Sequence, residues 1–407
     1  MKKVVLAYSG GLDSSVILHW LKATYHCEVI AYCADVGQGR GELEGVKEKA
    51  MASGALKCVV ADLRKGLVEG YLWPLLKSGA VYENGYLLGT SIARPIVAAE
   101  QVRIAHEEGA DGLAHGSTGK GNDQVRFELT YLSLDPTLKI IAPWREPGFP
   151  IGSREDAVDY AQEHGIPLRQ TKEDIYSRDR NIWHISHEGA DLEEPDNVPQ
   201  ESLFTMSRPL SQTPDKAELI DIEFVKGVPL KIYGEKVPAV KMMEVLNQLG
   251  GAHGIGQVDL VENRVVGMKS RGVYETPGGT ILSRAHKALE TLCLDRETMH
   301  YKQQCALRFA ELVYDGRWFT PLREALQAFF DVTQENVTGC VKMKLYKGHC
   351  ILAGMTSPNS LYAADLASFT MGENYDITDG TGFIRLYGLP LKVQALLKGK
   401  AKEACFV

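Results

Sequence analysis

The first third of the chain alternates short apolar runs with stretches in which apolar residues recur at helical spacing. Strands are predicted at residues 4–8, 28–34, 58–62, 112–115 and 138–143, and helices at 14–25, 42–53 and 94–108. Regular alternation of this kind predicts a doubly wound parallel sheet with helices on both faces, an α/β fold. In such sheets ligands bind beyond the carboxyl ends of the strands.

The pattern changes after residue 150. A helix predicted at 154–165 is followed by an acidic, proline-containing stretch at 187–201, which is predicted to be a long loop near a domain boundary. Strands are then predicted at 218–224, 231–233, 258–261 and 341–346, and helices at 239–249, 280–294, 299–315 and 321–330. Because like elements occur in runs, this part is predicted to be an α+β domain.

The last segment, residues 389–407, is predicted to be an amphipathic helix. Val393, Leu396 and Leu397 recur at helical spacing among several lysines. Two interpretations remain open for this segment: a frayed basic tail, or a helical arm that packs on another subunit.

Composition narrows the class of protein. The 407 residues are 44% hydrophobic and 24% charged, which is typical of a globular chain with two or three domains. A net charge of −7 argues against a chain that coats nucleic acid. The eight cysteines include no Cys-x-x-Cys pair, so we expect neither a zinc site nor a disulfide framework, and a cytoplasmic location. No apolar segment approaches the length of a membrane span.

The most informative motif is the loop Ser9-Gly10-Gly11-Leu12-Asp13-Ser14-Ser15, between the first predicted strand and helix. Its two glycines permit positive φ, so that backbone N–H groups converge at a helix N-terminus and can bind phosphate. The alternative is an ordinary turn in which Asp13 or Ser14 caps the helix. The string resembles the SGGxDS loop of the N-type ATP pyrophosphatases, which cleave ATP between its α and β phosphates.

Two other nucleotide signatures are incomplete. The segment 116–123 contains Gly119-Lys120, but Gly121 stands where a Walker A loop needs Ser or Thr. In the segment 37–41, Glu42 follows where a dinucleotide fingerprint needs glycine. A Rossmann dehydrogenase is therefore not supported.

Longer distinctive strings lie at residues 7–15, 34–38, 86–95, 115–128, 141–145, 261–264, 267–277 and 381–384. Together they resemble those of the argininosuccinate synthase family. Ser14 departs from the family's usual threonine but keeps the hydroxyl. The resemblance implies ATP-dependent ligation of L-citrulline and L-aspartate through a citrullyl-adenylate, with Mg²⁺ and with release of AMP and pyrophosphate. It also implies a homotetramer, whereas the absence of nucleic-acid and membrane partners is expected from the net charge and from the lack of a long apolar segment.

The same resemblance implies three domains and a set of binding residues. The domains are an ATP pyrophosphatase-type domain at 1–168, a synthetase domain at 169–365 and a C-terminal oligomerisation arm at 366–407. ATP is expected to contact Ala7, Tyr8, Ser9, Gly10, Gly11, Leu12, Asp13, Ser14, Ser15, Ala34 and Gly116. Citrulline is expected to contact Tyr86, Ser91, Asn122, Arg126, Ser177, Ser186, Glu262 and Tyr274, and aspartate Thr118, Asn122 and Asp123.

Chemistry suggests roles for some of these side chains. Arg126 suits the citrulline carboxylate because a guanidinium binds carboxylates bidentately, and Glu262 suits a cationic or N–H donor group. Asp123 is a candidate for the aspartate ammonium. We expect Asp13 to order its loop or to act through Mg²⁺ held by the ATP phosphates. No residue is assigned as the general base.

Three histidines also invite attention. His184 and His187 are interpreted as structural because no third metal ligand is evident, and His115 is expected to orient the loop that starts at Gly116. Two rival functions are weighed: an ATP pyrophosphatase that adenylates a different acceptor, and a non-catalytic nucleotide sensor. The first lacks the expected cysteine pair or glutaminase arrangement. The second would not need Arg126, Glu262 and Tyr274.

Overall fold

The computed structural model describes residues 1–167, 176–367 and 376–404; for Arg40, Arg154 and residues 401–404 it describes the backbone alone. The chain divides into two compact units, Met1–Asn359 and Ser360–Val407. Within the described residues no helix has both the length and the apolar character needed to cross a membrane.

The first unit begins with a parallel sheet of five strands. These are β1 (Lys3–Ala7), β2 (Glu28–Asp35), β3 (Lys57–Asp62), β4 (Gly112–Ala114) and β5 (Lys139–Ile141), in the order β3-β2-β1-β4-β5. The accompanying helices are α1 (Leu12–Tyr25), α2 (Arg40–Leu43), α3 (Val46–Ala52), α4 (Arg64–Leu67), α5 (Trp73–Ser78), α6 (Gly89–Glu108), α7 (Asp123–Leu134) and α8 (Arg154–Glu163).

Helices cover both faces of this sheet, as predicted. Val4 and Leu6 of β1 pack in one apolar cluster with Leu18 of α1, whereas Val5 packs in another with Ile92 of α6. Because successive strand residues point to opposite faces, a run of buried apolar residues forms a strand covered on both sides.

The strand order creates a crevice beside β1. From β1 the chain moves through β2 to β3 and then returns to form β4 on the other side of β1. At such a reversal the loops after the two strands diverge and leave room for a ligand. The loops at residues 8–11 and 115–122 follow β1 and β4 and therefore border this crevice.

The rest of the first unit contains two antiparallel sheets. One has the order β11-β12-β7-β6, and the other β10-β9-β8-β13-β14. The strands are β6 (Ser177–Arg180), β7 (Ile185–Glu188), β8 (Glu218–Val225), β9 (Val228–Ile232), β10 (Glu235–Lys236), β11 (Gln257–Asn263), β12 (Lys269–Glu275), β13 (Gly339–Tyr346) and β14 (His349–Thr356). The helices are α9 (Ala239–Ala252), α10 (Pro277–Cys293), α11 (Arg296–Tyr314) and α12 (Pro321–Thr333). The predicted α+β character is confirmed.

Three helices lie in the described part of the second unit: α13 (Ala364–Ala367), α14 (Asp379–Tyr387) and α15 (Leu389–Ala404). The predicted terminal helix is thus found, and residues 405–407 lie outside the described residues. Val393, Leu396 and Leu397 are 52–61% exposed within the chain.

Several predicted boundaries were wrong. The segment 187–201 does not begin as a loop, because β7 extends to Glu188 with the imidazole of His187 buried against Glu275. The helix predicted at 42–53 is interrupted at Gly45, which has a positive φ of 71°. The helix predicted from Arg94 begins at Gly89 and contains Pro95 near its start.

Candidate active site

A cavity of about 570 Å³ opens at the carboxyl edge of the parallel sheet. One wall follows the ends of β1, β2 and β4, and the other is formed by β6, β7, β11 and β12. Predicted site residues that line it are Ala7, Tyr8, Ser9, Asp13, Ser14, Ala34, Tyr86, Gly116, Thr118, Asn122, Asp123, Arg126, Ser177, Ser186, Glu262 and Tyr274. Segments far apart in sequence therefore meet at one cavity.

The other predicted site residues support the lining rather than form it. Ser15 is fully buried, and its hydroxyl donates to the Gly11 carbonyl at 2.9 Å and pairs with the Tyr8 hydroxyl at 2.9 Å. Ser91 is fully buried below Tyr86 and donates its backbone N–H to the Tyr86 hydroxyl at 3.4 Å. Gly10, Gly11 and Leu12 contribute backbone to the turn before α1.

The two glycines of the first loop differ in conformation. Gly10 has φ +77°, and a Cβ there would lie 2.6 Å from Val46 Cγ2, whereas Gly11 is extended at φ −74°. The prediction that both use positive φ is therefore wrong for Gly11. Gly11 occupies the N-cap position without a side-chain cap, so the alternative of a cap by Asp13 or Ser14 is wrong as well.

The first loop keeps its carbonyl groups occupied. The Gly10 carbonyl accepts from Lys49 Nζ at 2.6 Å, and the Gly11 carbonyl accepts from the Ser14 hydroxyl at 3.1 Å. At a helix N-terminus the first N–H groups have no intrahelical acceptor and carry the positive end of the helix dipole. The arrangement therefore presents donors to an anionic group.

Side-chain hydrogen bonds hold the second loop, residues 115–122, in place. The buried His115 accepts from Ser117 N–H at 3.3 Å through Nδ1, and its Nε2 lies 3.1 Å from Glu128 Oε1. Gln124 Nε2 donates to the carbonyls of Gly119 and Gly121 at 2.6 and 3.0 Å. Because Nδ1 is an acceptor, Nε2 carries the proton toward Glu128.

A chain of alternating charges crosses the cavity floor. Arg94 Nε lies 2.8 Å from Asp123 Oδ2, Arg94 Nη2 lies 2.9 Å from Asp179 Oδ2, and Arg126 Nη1 lies 2.8 Å from Asp123 Oδ1. Burial alone would raise the pKa of Asp123, but the two guanidinium groups hold it below its ordinary value. Asp123 is therefore an ionised carboxylate.

Arg94 and Asp179 were not expected at the site. Arg94 lies among buried apolar residues of α6, where a charged side chain needs a partner, and this was the available sequence signal. Asp179 gave no comparable signal, because β6 is short and polar.

Arg126 is largely occupied by the protein itself. It is 4% exposed, its Nε donates to the Tyr314 carbonyl at 2.9 Å, and its Nη1 is paired with Asp123. Among the described residues, Nη2 has no hydrogen-bond partner. Two of the five N–H donors of Arg126 are thus used within the protein, and both donors of Nη2 are without a partner among the described residues.

Glu262 is held in an environment that favours its neutral form. Its pKa is raised to about 7 by burial, and Glu188 adds to the effect while Arg126 opposes it. Its Oε2 is buried without a hydrogen-bond partner in the described part of the chain. A buried acceptor facing a cavity is suited to a donor from a ligand.

Aromatic rings and strand pairing fix the same wall. The rings of Tyr86 and Tyr274 lie 4.5 Å apart, and Tyr274 pairs directly with Ser186 in the β12–β7 register. Ser177 pairs with Glu188 in the β6–β7 register. The sheet therefore fixes the relative heights of three predicted citrulline contacts.

The two buried histidines, His184 and His187, have partners within the protein. His187 Nε2 lies 2.9 Å from Glu275 Oε1, and Glu275 also accepts the backbone N–H groups of residues 205, 206 and 207 at 2.6–2.9 Å. His184 lies 3.1 Å from the Thr90 hydroxyl, and burial lowers its pKa to about 4. Within the described residues no group of three or more His, Cys, Asp or Glu could hold a metal ion.

Comparison with known proteins covers almost the whole chain. Residues 3–167 match the family model of the arginosuccinate synthase N-terminal HUP domain, and residues 176–394 match that of the arginosuccinate synthase C-terminal domain. An argininosuccinate synthase of Roseiflexus sp. (strain RS-1) is 59% identical over 403 residues, which is 99% of this chain and 98% of the relative. One of Carboxydothermus hydrogenoformans is 60% identical over 395 residues, or 97% and 98% of the two chains.

Similarity to a solved structure is far weaker. The U34-tRNA thiolase NcsA from Methanococcus maripaludis is 19% identical and covers 42% of this chain and 59% of its own, with a TM-score of 0.28.

Proposed function

The chain belongs to the argininosuccinate synthase family and ligates citrulline to aspartate with ATP, and we propose that this reaction takes place in the cavity at the carboxyl edge of the parallel sheet. One observation carries the assignment. Residues that resemble the family's ATP, citrulline and aspartate contacts come from distant parts of the sequence and line that single cavity.

The loop at residues 9–15 holds the triphosphate. Support comes from the N-terminus of α1, from the hydroxyls of Ser9 and Ser14, and from the positive φ of Gly10, which lets the backbone approach an anion. Ala34 and Gly116 lie on either side of β1 and leave room for the nucleotide. Preorganised donors of this kind disperse the charge that develops on departing pyrophosphate.

Mg²⁺ enters with the phosphates of ATP. The donor set fits such an ion: Asp13 lines the cavity in the first turn of α1, and magnesium at phosphates is typically held by one or two carboxylates together with water. The ion would neutralise charge on the β and γ phosphates.

Citrulline lies against the opposite wall. Arg126 offers Nη2 to its α-carboxylate, and Glu262 offers a buried acceptor to its α-ammonium. Tyr86 and Tyr274 enclose the neutral ureido tail, and Ser177 and Ser186 supply hydroxyls. These contacts would hold the ureido oxygen in line with the α-phosphorus, which a poor nucleophile requires.

The reaction then proceeds in two displacements. The ureido oxygen bonds to the α-phosphorus while the bond to the β-phosphate oxygen breaks, and pyrophosphate leaves with the electron pair. The aspartate amine, oriented by Thr118, Asn122 and Asp123, next bonds to the ureido carbon while the bond to the AMP oxygen breaks. The amine loses one proton in this step. We assign no side chain as its acceptor.

Pyrophosphate release tests the proposal directly. Enzyme with ATP and Mg²⁺ is given citrulline and aspartate together, and then each is omitted in turn. Release that requires citrulline, with sustained formation of AMP only after aspartate is added, supports the adenylate route. Folded enzyme that releases no citrulline-dependent pyrophosphate would contradict it and would direct attention to a different acceptor or to a nucleotide sensor.

The C-terminal segment is proposed to serve assembly into a homotetramer. Support comes from apolar side chains of α14 and α15 that are 48–72% exposed within the chain, among them Ile384, Leu386 and Leu389. Light scattering of the full chain and of a chain ending at residue 359 measures the mass of each. Equal oligomeric states would contradict the assignment. A cytoplasmic location remains a prediction, consistent with the free thiols of the described cysteines.

A further inference from the structure

Tyr314 touches several residues of the proposed citrulline site without having been assigned to it. It is the last residue of α11 and only 1% exposed. Its hydroxyl accepts from Asn122 Nδ2 at 2.9 Å, and its carbonyl accepts from Arg126 Nε at 2.9 Å. Arg126 Cζ also lies 5.0 Å from the centre of its ring. One residue therefore contacts two proposed substrate contacts in three ways.

The Tyr314 ring is itself firmly seated. It stacks on Tyr82 with ring centres 3.7 Å apart and planes inclined by 6°. Tyr82 in turn donates its hydroxyl to the Asn263 carbonyl at 2.8 Å. Stacking and hydrogen bonding of both hydroxyls restrict the rotamers of such a pair.

The backbone after α11 is equally close to Arg126. Gly316 has φ +76°, and a Cβ at this position would lie 2.6 Å from Arg126 Cα. Only a residue without a side chain allows the chain to pass there, so the end of α11 is packed directly against α7.

These contacts determine which groups face the substrate. Asn122 Oδ1 accepts from Val265 N–H at 2.9 Å while Nδ2 donates to Tyr314, so its amide can adopt one orientation only. Arg126 is tied through Nε and Nη1, which leaves Nη2 toward the cavity. Without the Tyr314 hydroxyl, Nδ2 of Asn122 would lose its acceptor in a buried position.

We propose that Tyr314 is a positioning residue for the amino-acid substrates, which fixes the amide of Asn122 and the guanidinium of Arg126 in the orientation that binds citrulline. The inference rests on the proposed function, since it takes both residues as substrate contacts. It extends the site to a helix end that lies outside the strings resembling the family's binding residues.

The electrostatics agree with this geometry. Burial raises the pKa of Glu262 to about 7, and the Tyr314 hydroxyl is among the groups that oppose the rise. Removing the hydroxyl should therefore raise the pKa of Glu262 further. A purely structural residue would not move a titration of the substrate site.

The test is Tyr314→Phe in the full-length enzyme. Phenylalanine keeps the stack on Tyr82 and the backbone acceptor for Arg126, and it removes only the hydroxyl. We expect the KM for citrulline to rise about tenfold because a buried donor loses its partner. The KM for aspartate should also rise, because Asn122 is proposed to contact aspartate as well. The KM for ATP and the Tm should stay near their original values. The pH at which kcat/KM for citrulline reaches half of its maximum should also rise, because the pKa of Glu262 is raised.

Controls separate the outcomes. Tyr301→Phe, on the same helix but 59% exposed, should change nothing. In an Asn122→Ala background, Tyr314→Phe should raise the KM for citrulline by less than it does in the original enzyme, because the hydrogen bond to Asn122 is already absent and only the effect on Glu262 remains. An unchanged KM for citrulline in Tyr314→Phe overturns the inference. So does a loss that affects ATP equally and lowers the Tm, since this marks a general structural defect.

Arg126→Lys distinguishes this inference from the proposed function. If Arg126→Lys weakens citrulline binding and Tyr314→Phe does not, the site stands and the role of Tyr314 fails. If neither changes the KM for citrulline, the citrulline assignment itself fails, and the positioning role with it.

Discussion

Replacing Gly10 by alanine should selectively disable ATP binding. An L-residue at φ +77° is strained by about 1 to 2 kcal/mol. The new Cβ would lie 2.6 Å from Val46 Cγ2. Relief of such overpacking typically costs about 1 to 3 kcal/mol more. The sum of about 2 to 5 kcal/mol should appear as a shifted loop and a KM for ATP raised at least about 30-fold.

The assay is pyrophosphate release as a function of ATP concentration at saturating citrulline and aspartate, together with a thermal melt. Gly11→Ala is the matched control because Gly11 has φ −74° and a Cβ there would lie 3.3 Å from Ser9 Oγ, a contact that a small hydroxyl movement relieves. Its KM for ATP should change by less than about threefold, corresponding to a cost below about 0.7 kcal/mol.

A second substitution divides the cost into its two parts. In Gly10→Ala/Val46→Ala the crowded Cγ2 is gone and the backbone strain remains, so part of the lost ATP affinity should return. A folded Gly10→Ala enzyme with an unaltered KM for ATP would refute the reasoning, because the loop would then not need the conformation that the structure gives it.

Three further predictions concern the rest of the site. Arg126→Lys should weaken citrulline binding by about 1.5 to 3 kcal/mol, seen as a higher KM for citrulline, and should leave the KM for ATP nearly unchanged. An unchanged KM for citrulline would show that Arg126 is not part of the site. Because the pKa of Glu262 is raised to about 7 and its ionised form would pair with the citrulline ammonium, kcat/KM for citrulline should rise with pH up to about 7, and Glu262→Gln should abolish that step. Glu275→Gln should lower the free energy of unfolding in urea by about 2 to 4 kcal/mol at pH 7, since a charged acceptor of several hydrogen bonds is lost. Hydrogen bonds lower the pKa of Glu275 despite its burial, so this difference should persist above its ordinary value of 4.5 and shrink as the pH falls through the lowered value; a pH-independent difference would contradict the charge-based explanation.

Much of the parallel sheet could be predicted because short stretches of sequence carry the signals for its strands and helices. Strands such as Val4 to Leu6 are apolar on both faces, and the glycine loop after them marks where a helix begins. The antiparallel sheet at the cavity was harder to predict. β6 is polar, and β7 contains the polar residues Ser186 and His187. Their burial depends on partners that are far away in the sequence.

The candidate site also contains features that the sequence predicted and features that it could not predict. Residue types and the family resemblance identified Arg126 and Glu262, and the structure brings them to one cavity. Composition could not reveal that two nitrogens of Arg126 are already engaged, because the partners, Asp123 and the Tyr314 carbonyl, depend on how α7 meets α11. The sequence likewise could not show that Gly10 has a positive φ while Gly11 is extended, or that Val46 occupies the space of a Cβ at Gly10.

The hydrogen bond between Asn122 and Tyr314 has a consequence for how such a chain can be recombined. Asn122 lies in the region matched by the N-terminal family model, and Tyr314 lies in the region matched by the C-terminal one. The residues that form the cavity therefore come from both regions. A chimera that takes residues 1–167 from one relative and the remainder from another creates a working pocket only where both parents supply matching partners at this seam. A substitution at Asn122 or Tyr314 therefore calls for a compensating substitution at the other position.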